Sequence, residues 1–162
     1  MRGEGVEPVA GDRVAQQQLN PPDCDRRALR YTLMKIIAHG IDLVDFPRLE
    51  TLIRRHGERF LNRVFTEREQ SDADSVRNRI EKLAGRFAAK EAVLKLIGTG
   101  WRGKIAWTDI EIVNNPTGQP VVKTSGEVRR IADKAGIEQI TLSITHTANF
   151  AIASAVAVAE AG

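Results

Sequence analysis

The segment that most constrains the fold is residues 83–100, which predicts one long helix with a sharp end. Its large apolar side chains recur at helical spacing and form a single stripe of Leu83, Phe87, Leu94 and Ile97. The sequence Gly-Thr-Gly at residues 98–100 then ends the helix, because glycine is the usual residue just past a helix C-terminus. The stripe must therefore pack against another part of the chain.

One acidic residue of this helix lies beside the apolar stripe. Glu91 follows Phe87 by four residues and precedes Leu94 by three, so it faces other protein rather than open water. Burying a carboxylate is costly unless it is paired or bound to a metal ion. Lys95 lies on the same face, four residues further on, so an exposed Glu–Lys pair is the plain structural alternative. The position of Glu91 on the stripe favours a functional carboxylate.

The chain divides into a leader and one predicted domain. Residues 1–33 contain Gly-Glu-Gly, Gln-Gln-Gln and Asn-Pro-Pro with few large apolar residues, which predicts a flexible leader. Residues 34–162 are the predicted domain, and we expect the functional unit to begin near Met34. The only cysteine, Cys24, excludes an intrachain disulfide and favours a reducing compartment, hence the cytoplasm. No apolar run approaches the roughly 18 residues that a membrane span needs.

Alternating strand and helix patterns predict an α+β domain with an antiparallel or mixed sheet packed with helices. A helix beginning near Pro47 is interrupted at Gly57, and Thr66 with Glu69 predicts a capping box for the next helix. The polar residues 71–78 are predicted to form a loop. Strands are predicted at 35–44, 107–113, 119–123, 139–146 and 150–158, and further helices at 79–97 and 125–135.

Three polar residues lie where chemistry is plausible: Asp42 near the end of a strand, Glu91, and His146 at the end of another strand. Two carboxylates are too few for calcium, but they suit magnesium, which keeps several waters and takes phosphate oxygens from its substrate. Lys95 and the loop amides of residues 98–100 are candidate phosphate ligands. His146 is a candidate to bind phosphate or move a proton. Singly, a turn-forming Asp and a structural His remain the alternatives.

The motifs, taken in order, resemble those of the holo-acyl-carrier-protein synthases, the short-chain 4′-phosphopantetheinyl transferases. The first is Gly-Ile-Asp-Leu at residues 40–43, followed by Arg48. The second is Arg-Phe-Ala-Ala-Lys-Glu-Ala-Val-Leu-Lys-Leu-Ile-Gly-Thr-Gly at residues 86–100, and the third is Leu-Ser-Ile-Thr-His-Thr at residues 142–147. The resemblance covers about residues 34–158 and implies the 4′-phosphopantetheinyl transferase fold. The leader lies outside it, and Ala38 stands where the family usually has glycine.

The resemblance implies a reaction and roles for named residues. Family members move the phosphopantetheine arm of coenzyme A onto a serine of apo-acyl carrier protein and release adenosine 3′,5′-bisphosphate. The implied catalytic residues are Asp42 and Glu91, which bind Mg²⁺, and Lys95 near the pyrophosphate. The serine proton is expected to pass to a water held near the carboxylates. The implied coenzyme-binding residues are Arg86, Lys95, Gly98, Thr99, Gly100 and His146.

The resemblance also implies partners. Acyl carrier proteins are acidic around the acceptor serine, so Arg48, Arg55 and Arg59 are predicted to dock one, with a merely solvated basic face as the alternative. Family members are typically trimers with active sites shared between subunits, so a homotrimer is expected. We expect neither a nucleic acid nor a membrane as partner.

Two alternative functions remain open at this stage. A small basic nucleic-acid-binding module is compatible with the net charge of +3, but aromatic residues make up only 5% and no helix-turn-helix pattern is visible. A catalytically inactive family member that acts as a scaffold is the other alternative, although the expected polar positions are all present.

Overall fold

The structure, a computed structural model, describes residues 34–161. The predicted leader, residues 1–33, lies outside the described residues and stays a prediction. Within the described range no helix is both long and apolar enough to cross a membrane. The elements are β1 (Met34–Asp45), α1 (Phe46–Val64), α2 (Glu67–Asp74), α3 (Arg79–Leu96), a 3₁₀ turn (Trp107–Asp109), β2 (Ile110–Asn114), β3 (Pro120–Thr124), α4 (Gly126–Lys134), β4 (Gln139–His146) and β5 (Phe150–Glu160).

The strands form two antiparallel sheets, which confirms the predicted α+β class. One sheet has the order β1-β5-β4, and the other is the hairpin of β2 and β3. Helix α3 lies across one face of the larger sheet and is buried on almost all sides, not only along its predicted stripe. The central strand presents a face of small buried side chains, which allows this close approach: Ala151, Ala153, Ala155, Ala157 and Ala159.

Gly40 marks the closest approach of β1 to α3. A Cβ atom added at Gly40 would lie 2.0 Å from the carbonyl oxygen of Ala92 and 2.7 Å from the amide nitrogen of Leu96. Only glycine fits here, because both neighbours are helix backbone atoms that cannot swing away. Asp42 lies two residues further along the same strand face, so this contact also fixes the distance of Asp42 from α3.

A fully buried ion pair ties the helices to the hairpin. Lys90 Nζ lies 2.7 Å from the Glu69 carboxylate, and neither side chain is exposed. The ammonium also donates to the carbonyl oxygens of Trp107 at 3.1 Å and Ile110 at 2.6 Å, while Glu69 accepts from the amide of Ile112 at 2.9 Å. Because these hydrogen bonds satisfy both charged groups, the pair can persist in the core and hold α2, α3 and β2 in register.

Two boundaries differ from the sequence prediction by three residues or more. Residues 71–74, predicted as loop, belong to α2, because the Thr66–Glu69 capping box starts that helix and Ala73 is fully buried. The strand predicted from residue 107 begins only at Ile110, because Asp109 folds back to accept from the amide of Ala106 and forms the 3₁₀ turn. The capping box itself and the interruption of α1 at Gly57, where φ is +55°, are confirmed.

We predict that Gly40→Ala destabilises the domain by more than about 3 kcal/mol, because its Cβ would overlap the backbone of α3. The measurement is the free energy of unfolding in urea. The matched control is Gly85→Ala, whose Cβ would meet only the Ile144 Cγ2 atom at 3.2 Å and should cost much less. Equal stability of the Gly40→Ala variant and the wild type would contradict the close packing of β1 on α3.

Candidate active site

A cavity of about 250 Å³ opens between the end of β1, the start of α1 and helix α3. We call it the carboxylate cavity because Asp42 and Glu91 both line it. These residues are 49 positions apart in sequence, and the packing of β1 on α3 brings them into one cavity. Its complete lining is Asp42, Leu43, Val44, Asp45, Arg48, Leu49, Leu52, Phe87 and Glu91.

The electrostatics of this cavity favour a bound cation. Burial raises the pKa of Glu91, and the charge of Asp42 raises it further, against smaller opposing effects of Lys95 and Arg48. Among residues 34–161, no group of three or more His, Cys, Asp and Glu side chains is arranged so that it could hold a metal ion by itself. A divalent ion at these two carboxylates would take its remaining ligands from water and substrate, which is the coordination that Mg²⁺ prefers.

Lys95 pairs with Asp42 rather than with its helix neighbour Glu91. Its Nζ atom donates to Asp42 Oδ1 at 2.8 Å and to the carbonyl oxygen of Ile41 at 2.9 Å. The Lys95 side chain is about half exposed, whereas that of Asp42 is largely covered. This arrangement leaves an ammonium at the edge of the carboxylate cavity, where an anionic substrate group would approach.

A second cavity, of about 240 Å³, lies on the other side of α3. We call it the arginine cavity. Arg86 is only 4% exposed there, and its Nη2 atom donates to Asn114 Oδ1 at 2.6 Å. Its Nε atom is buried without a hydrogen-bond partner, and burial lowers the pKa of the guanidinium. A buried donor without a partner points to a missing acceptor, which an anion would provide. The complete lining is Glu81, Lys82, Gly85, Arg86, Asn114, Gly118, Pro120, Ile144 and His146.

His146 lines this same cavity from the end of β4. Its Nε2 atom lies 3.4 Å from Glu81 Oε1, and the ring is about half exposed. Lys82 adds a further cation, and burial followed by the charge of Arg86 lowers its pKa. Lys82 and Asn114 were not among the residues predicted for the site. Lys82 precedes Arg86 by four residues and so shares its helix face, which was a usable signal, whereas Asn114 comes from the distant hairpin.

The two cavities flank α3 on opposite sides. Five residues at about 100° each place Arg86 and Glu91 roughly 140° apart around the helix axis. The carboxylate cavity uses β1, and the arginine cavity uses β4, which is separated from β1 by the central strand β5. The structure therefore brings Asp42, Glu91 and Lys95 together, and separately Arg86 and His146.

The backbone amides of Gly98 and Gly100 form the hydrogen bonds that end helix α3. The amide of Gly98 donates to the carbonyl of Lys95 at 3.0 Å, and that of Gly100 to the carbonyl of Leu94 at 3.3 Å. The hydroxyl of Thr99 donates to Gly100 O. None of the three residues is among those that line the carboxylate or arginine cavity. Their predicted contact with phosphate is untested and stays a prediction.

The predicted docking arginines are spread along α1. Arg48 lines the carboxylate cavity, and Arg59 lines an adjoining open cavity that shares Leu52 with it. Arg55 is exposed on the helix between them. A basic strip therefore leads to the two carboxylates.

The comparison with known protein families identifies the chain's relatives. The sequence profile of the 4′-phosphopantetheinyl transferase superfamily matches residues 38–155, which include Asp42, Glu91, Lys95 and His146. The chain belongs to this superfamily. The family predicted from the motifs is thereby confirmed, and with it the enzyme class, a phosphopantetheinyl transferase.

Individual relatives agree in sequence and in fold. The chain is 42% identical over 118 residues to a holo-[acyl-carrier-protein] synthase of Solibacter usitatus, with 73% of this chain and 94% of the relative covered. The holo-[acyl-carrier-protein] synthase of Neisseria meningitidis matches with a TM-score of 0.71 and 30% identity, over 76% of this chain and 98% of the other. The Helicobacter pylori enzyme, solved in complex with coenzyme A, matches with a TM-score of 0.66 and 31% identity, over 74% and 98%.

We predict that Mg²⁺ stabilises the protein through Glu91. Because burial raises the pKa of Glu91, its carboxyl group binds a proton more tightly in the folded state than in the unfolded state. The stability that the protonated group contributes is therefore lost as the pH rises through the folded-state pKa. At pH 8, Mg²⁺ at a hundred times its Kd should stabilise the wild type by about 2.7 kcal/mol.

The Glu91→Gln variant should be more stable than the wild type in metal-free buffer at pH 8 and should gain little from Mg²⁺. The exposed Glu138→Gln variant is the control and should follow the wild type. Thermal unfolding with and without Mg²⁺ measures both effects. The same gain from Mg²⁺ in the Glu91→Gln variant and the wild type would exclude Glu91 as a ligand.

Proposed function

We propose that this chain transfers the 4′-phosphopantetheine group of coenzyme A to a serine of an apo-acyl carrier protein and releases adenosine 3′,5′-bisphosphate. The observation that carries the proposal is the convergence of Asp42 and Glu91 in one cavity with Lys95 at its edge. Family membership provides the reaction class, and the cavity provides groups suited to it.

Asp42 and Glu91 would hold Mg²⁺, which supplies charge neutralisation at the pyrophosphate when it is bound. The serine Oγ forms a bond to the phosphorus that carries the pantetheine arm, and the bond from that phosphorus to the bridging pyrophosphate oxygen breaks. The electron pair leaves with adenosine 3′,5′-bisphosphate. Lys95 contributes positive charge to the leaving group, while the Asp42 and Glu91 carboxylates orient a water that takes the serine proton.

The arginine cavity is suited to a phosphate group of the coenzyme. Arg86 Nε is a buried donor without a partner, and Lys82 and His146 lie in the same cavity. A phosphate oxygen would provide the acceptor that the described residues do not. The Helicobacter pylori relative, solved in complex with coenzyme A, supports coenzyme A as the co-substrate, and the choice of the arginine cavity depends on the unpartnered Nε atom of Arg86.

A homotrimer with active sites between subunits is the assembly we propose. One coenzyme molecule that contacts both cavities of a single chain would have to pass around α3, whereas a neighbouring chain can supply the second cavity. The face of the larger sheet that points away from α3 exposes large apolar side chains, including Ile36 at 72%, Ile41 and Leu43. Exposed apolar patches of this kind mark association surfaces.

Docking of the acidic carrier protein on α1 completes the proposal. Arg48, Arg55 and Arg59 lie along the route to the carboxylates and would attract an acidic surface, which speeds encounter more than it adds affinity. Family membership favours this use of the basic face over nucleic-acid binding. We place the enzyme in the cytoplasm as part of the same proposal.

The first test is direct transfer. Incubation of the purified chain with coenzyme A, Mg²⁺ and apo-acyl carrier protein should add the mass of the phosphopantetheine arm to the carrier, as measured by mass spectrometry. Glu91→Ala should reduce the rate at least about a hundredfold, because it removes a metal ligand. Glu138→Ala, an exposed carboxylate outside both cavities, should leave it unchanged. An unmodified carrier with the wild-type chain would favour the inactive-scaffold alternative.

The second test is complementation between two inactive chains. Arg86→Gln damages the arginine cavity and Glu91→Gln the carboxylate cavity, so each variant alone should be nearly inactive. Mixed assemblies, formed by unfolding and refolding the two variants together, should recover roughly a quarter of the wild-type active sites. Each shared site needs an intact arginine cavity from one chain and an intact carboxylate cavity from its neighbour, and random mixing gives each a chance of about one half. No recovery in verified mixed assemblies would show that each active site lies within one chain.

A further inference from the structure

Trp101 is the large aromatic side chain that the Gly98–Gly103 loop presents to solvent. It is 48% exposed, although a tryptophan side chain is normally mostly covered. Its orientation is fixed, because the indole Nε1 atom donates to the carbonyl oxygen of Ile105 at 3.0 Å. The ring is thus held in place in the free protein, and a partner that contacts it would not have to order it.

Aromatic contacts connect this exposed ring to the carboxylate cavity. Trp101 stacks on the buried ring of Trp107, with 6.1 Å between centroids and 29° between planes. The ring centroid of Trp107 in turn lies 5.2 Å from that of Phe87, which lines the carboxylate cavity together with Glu91. A series of ring contacts therefore connects the exposed Trp101 ring to the wall of the proposed active site.

One basic side chain contacts Trp101, and another is its neighbour in sequence. The Arg63 Cζ atom lies 4.7 Å from the centroid of the Trp101 ring, which is a cation–π contact. Arg102 is exposed next to Trp101 in sequence. Tryptophan and arginine are the residues that most often dominate binding energy at protein interfaces, and the positive charge selects an acidic partner.

The surface between Trp101 and the carboxylates is continuous. An open cavity lined by Leu52, His56, Arg59, Phe60 and Arg63 begins at Leu52, which also lines the carboxylate cavity. It ends at Arg63, the residue in contact with Trp101. The strip thus has an apolar floor of Leu52 and Phe60 and a basic edge, which suits an amphipathic acidic helix.

We propose that Trp101 and Arg63 extend the docking surface of Arg48, Arg55 and Arg59. They lie at its end farthest from the carboxylates, where they bind an apolar side chain and an acidic group of the carrier protein. The inference rests on the proposed function. It adds two residues to the predicted docking arginines and assigns the Gly98–Gly103 loop a role in partner recognition. Trp101 and Arg63 bind the carrier and do not contact the reacting atoms.

The test measures Michaelis constants for the two substrates separately. Trp101→Ala should raise the KM for apo-acyl carrier protein roughly tenfold, while kcat and the KM for coenzyme A stay within about twofold. Trp101→Phe keeps an aromatic surface and should recover most of the loss. Val76→Ala, at an exposed apolar side chain after α2, is the matched control and should change neither constant.

Arg63→Gln provides an independent variant that leaves the loop sequence intact, and its KM for the carrier should rise at least about threefold. Unchanged carrier KM values in both Trp101→Ala and Arg63→Gln, with active wild type, would overturn this inference and leave the proposed function standing. A parallel rise in both KM values for Trp101→Ala would also overturn it, because that pattern indicates general damage. A wild-type chain that transfers nothing would overturn the proposed function itself.

Discussion

The packing of β1 against α3 at Gly40 is the contact on which the rest of the structure depends. The absence of a side chain at Gly40 and the row of alanines on β5 allow the helix to lie directly on the sheet. This proximity brings Asp42 and Glu91 into one cavity although they are far apart in sequence. A larger side chain at this contact would push β1 away from α3 and so separate the two carboxylates, although it would touch neither of them.

The rotation of α3 about its own axis matters as much as its distance from the sheet. The buried pair of Lys90 and Glu69 determines which face of α3 packs against the hairpin. Glu91, the next residue, is thereby directed toward the carboxylate cavity. The cavity walls raise the pKa of Glu91, so the free site holds a carboxylate whose ionised form is unfavourable. A divalent cation would relieve that cost, which links metal binding to stability.

Local patterns predicted the elements well, and long-range pairing decided most of what they missed. The helix with its Gly-Thr-Gly end, the capping box at Thr66 and the hairpin follow from spacing within a few residues. The partner of Lys95 does not, because sequence spacing suggests Glu91 whereas the fold supplies Asp42. The separation of Asp42 from His146 depends on the strand order, which places β5 between β1 and β4. No local signal fixes that order.

The central claim is that Asp42 and Glu91 together bind one divalent ion beside the coenzyme. The most direct measurement is anomalous X-ray diffraction at the manganese edge from crystals grown with Mn²⁺ and coenzyme A. The account predicts a single strong peak within bonding distance of a carboxylate oxygen from each of the two residues. A peak bound by only one of them, or located in the arginine cavity instead, would contradict it.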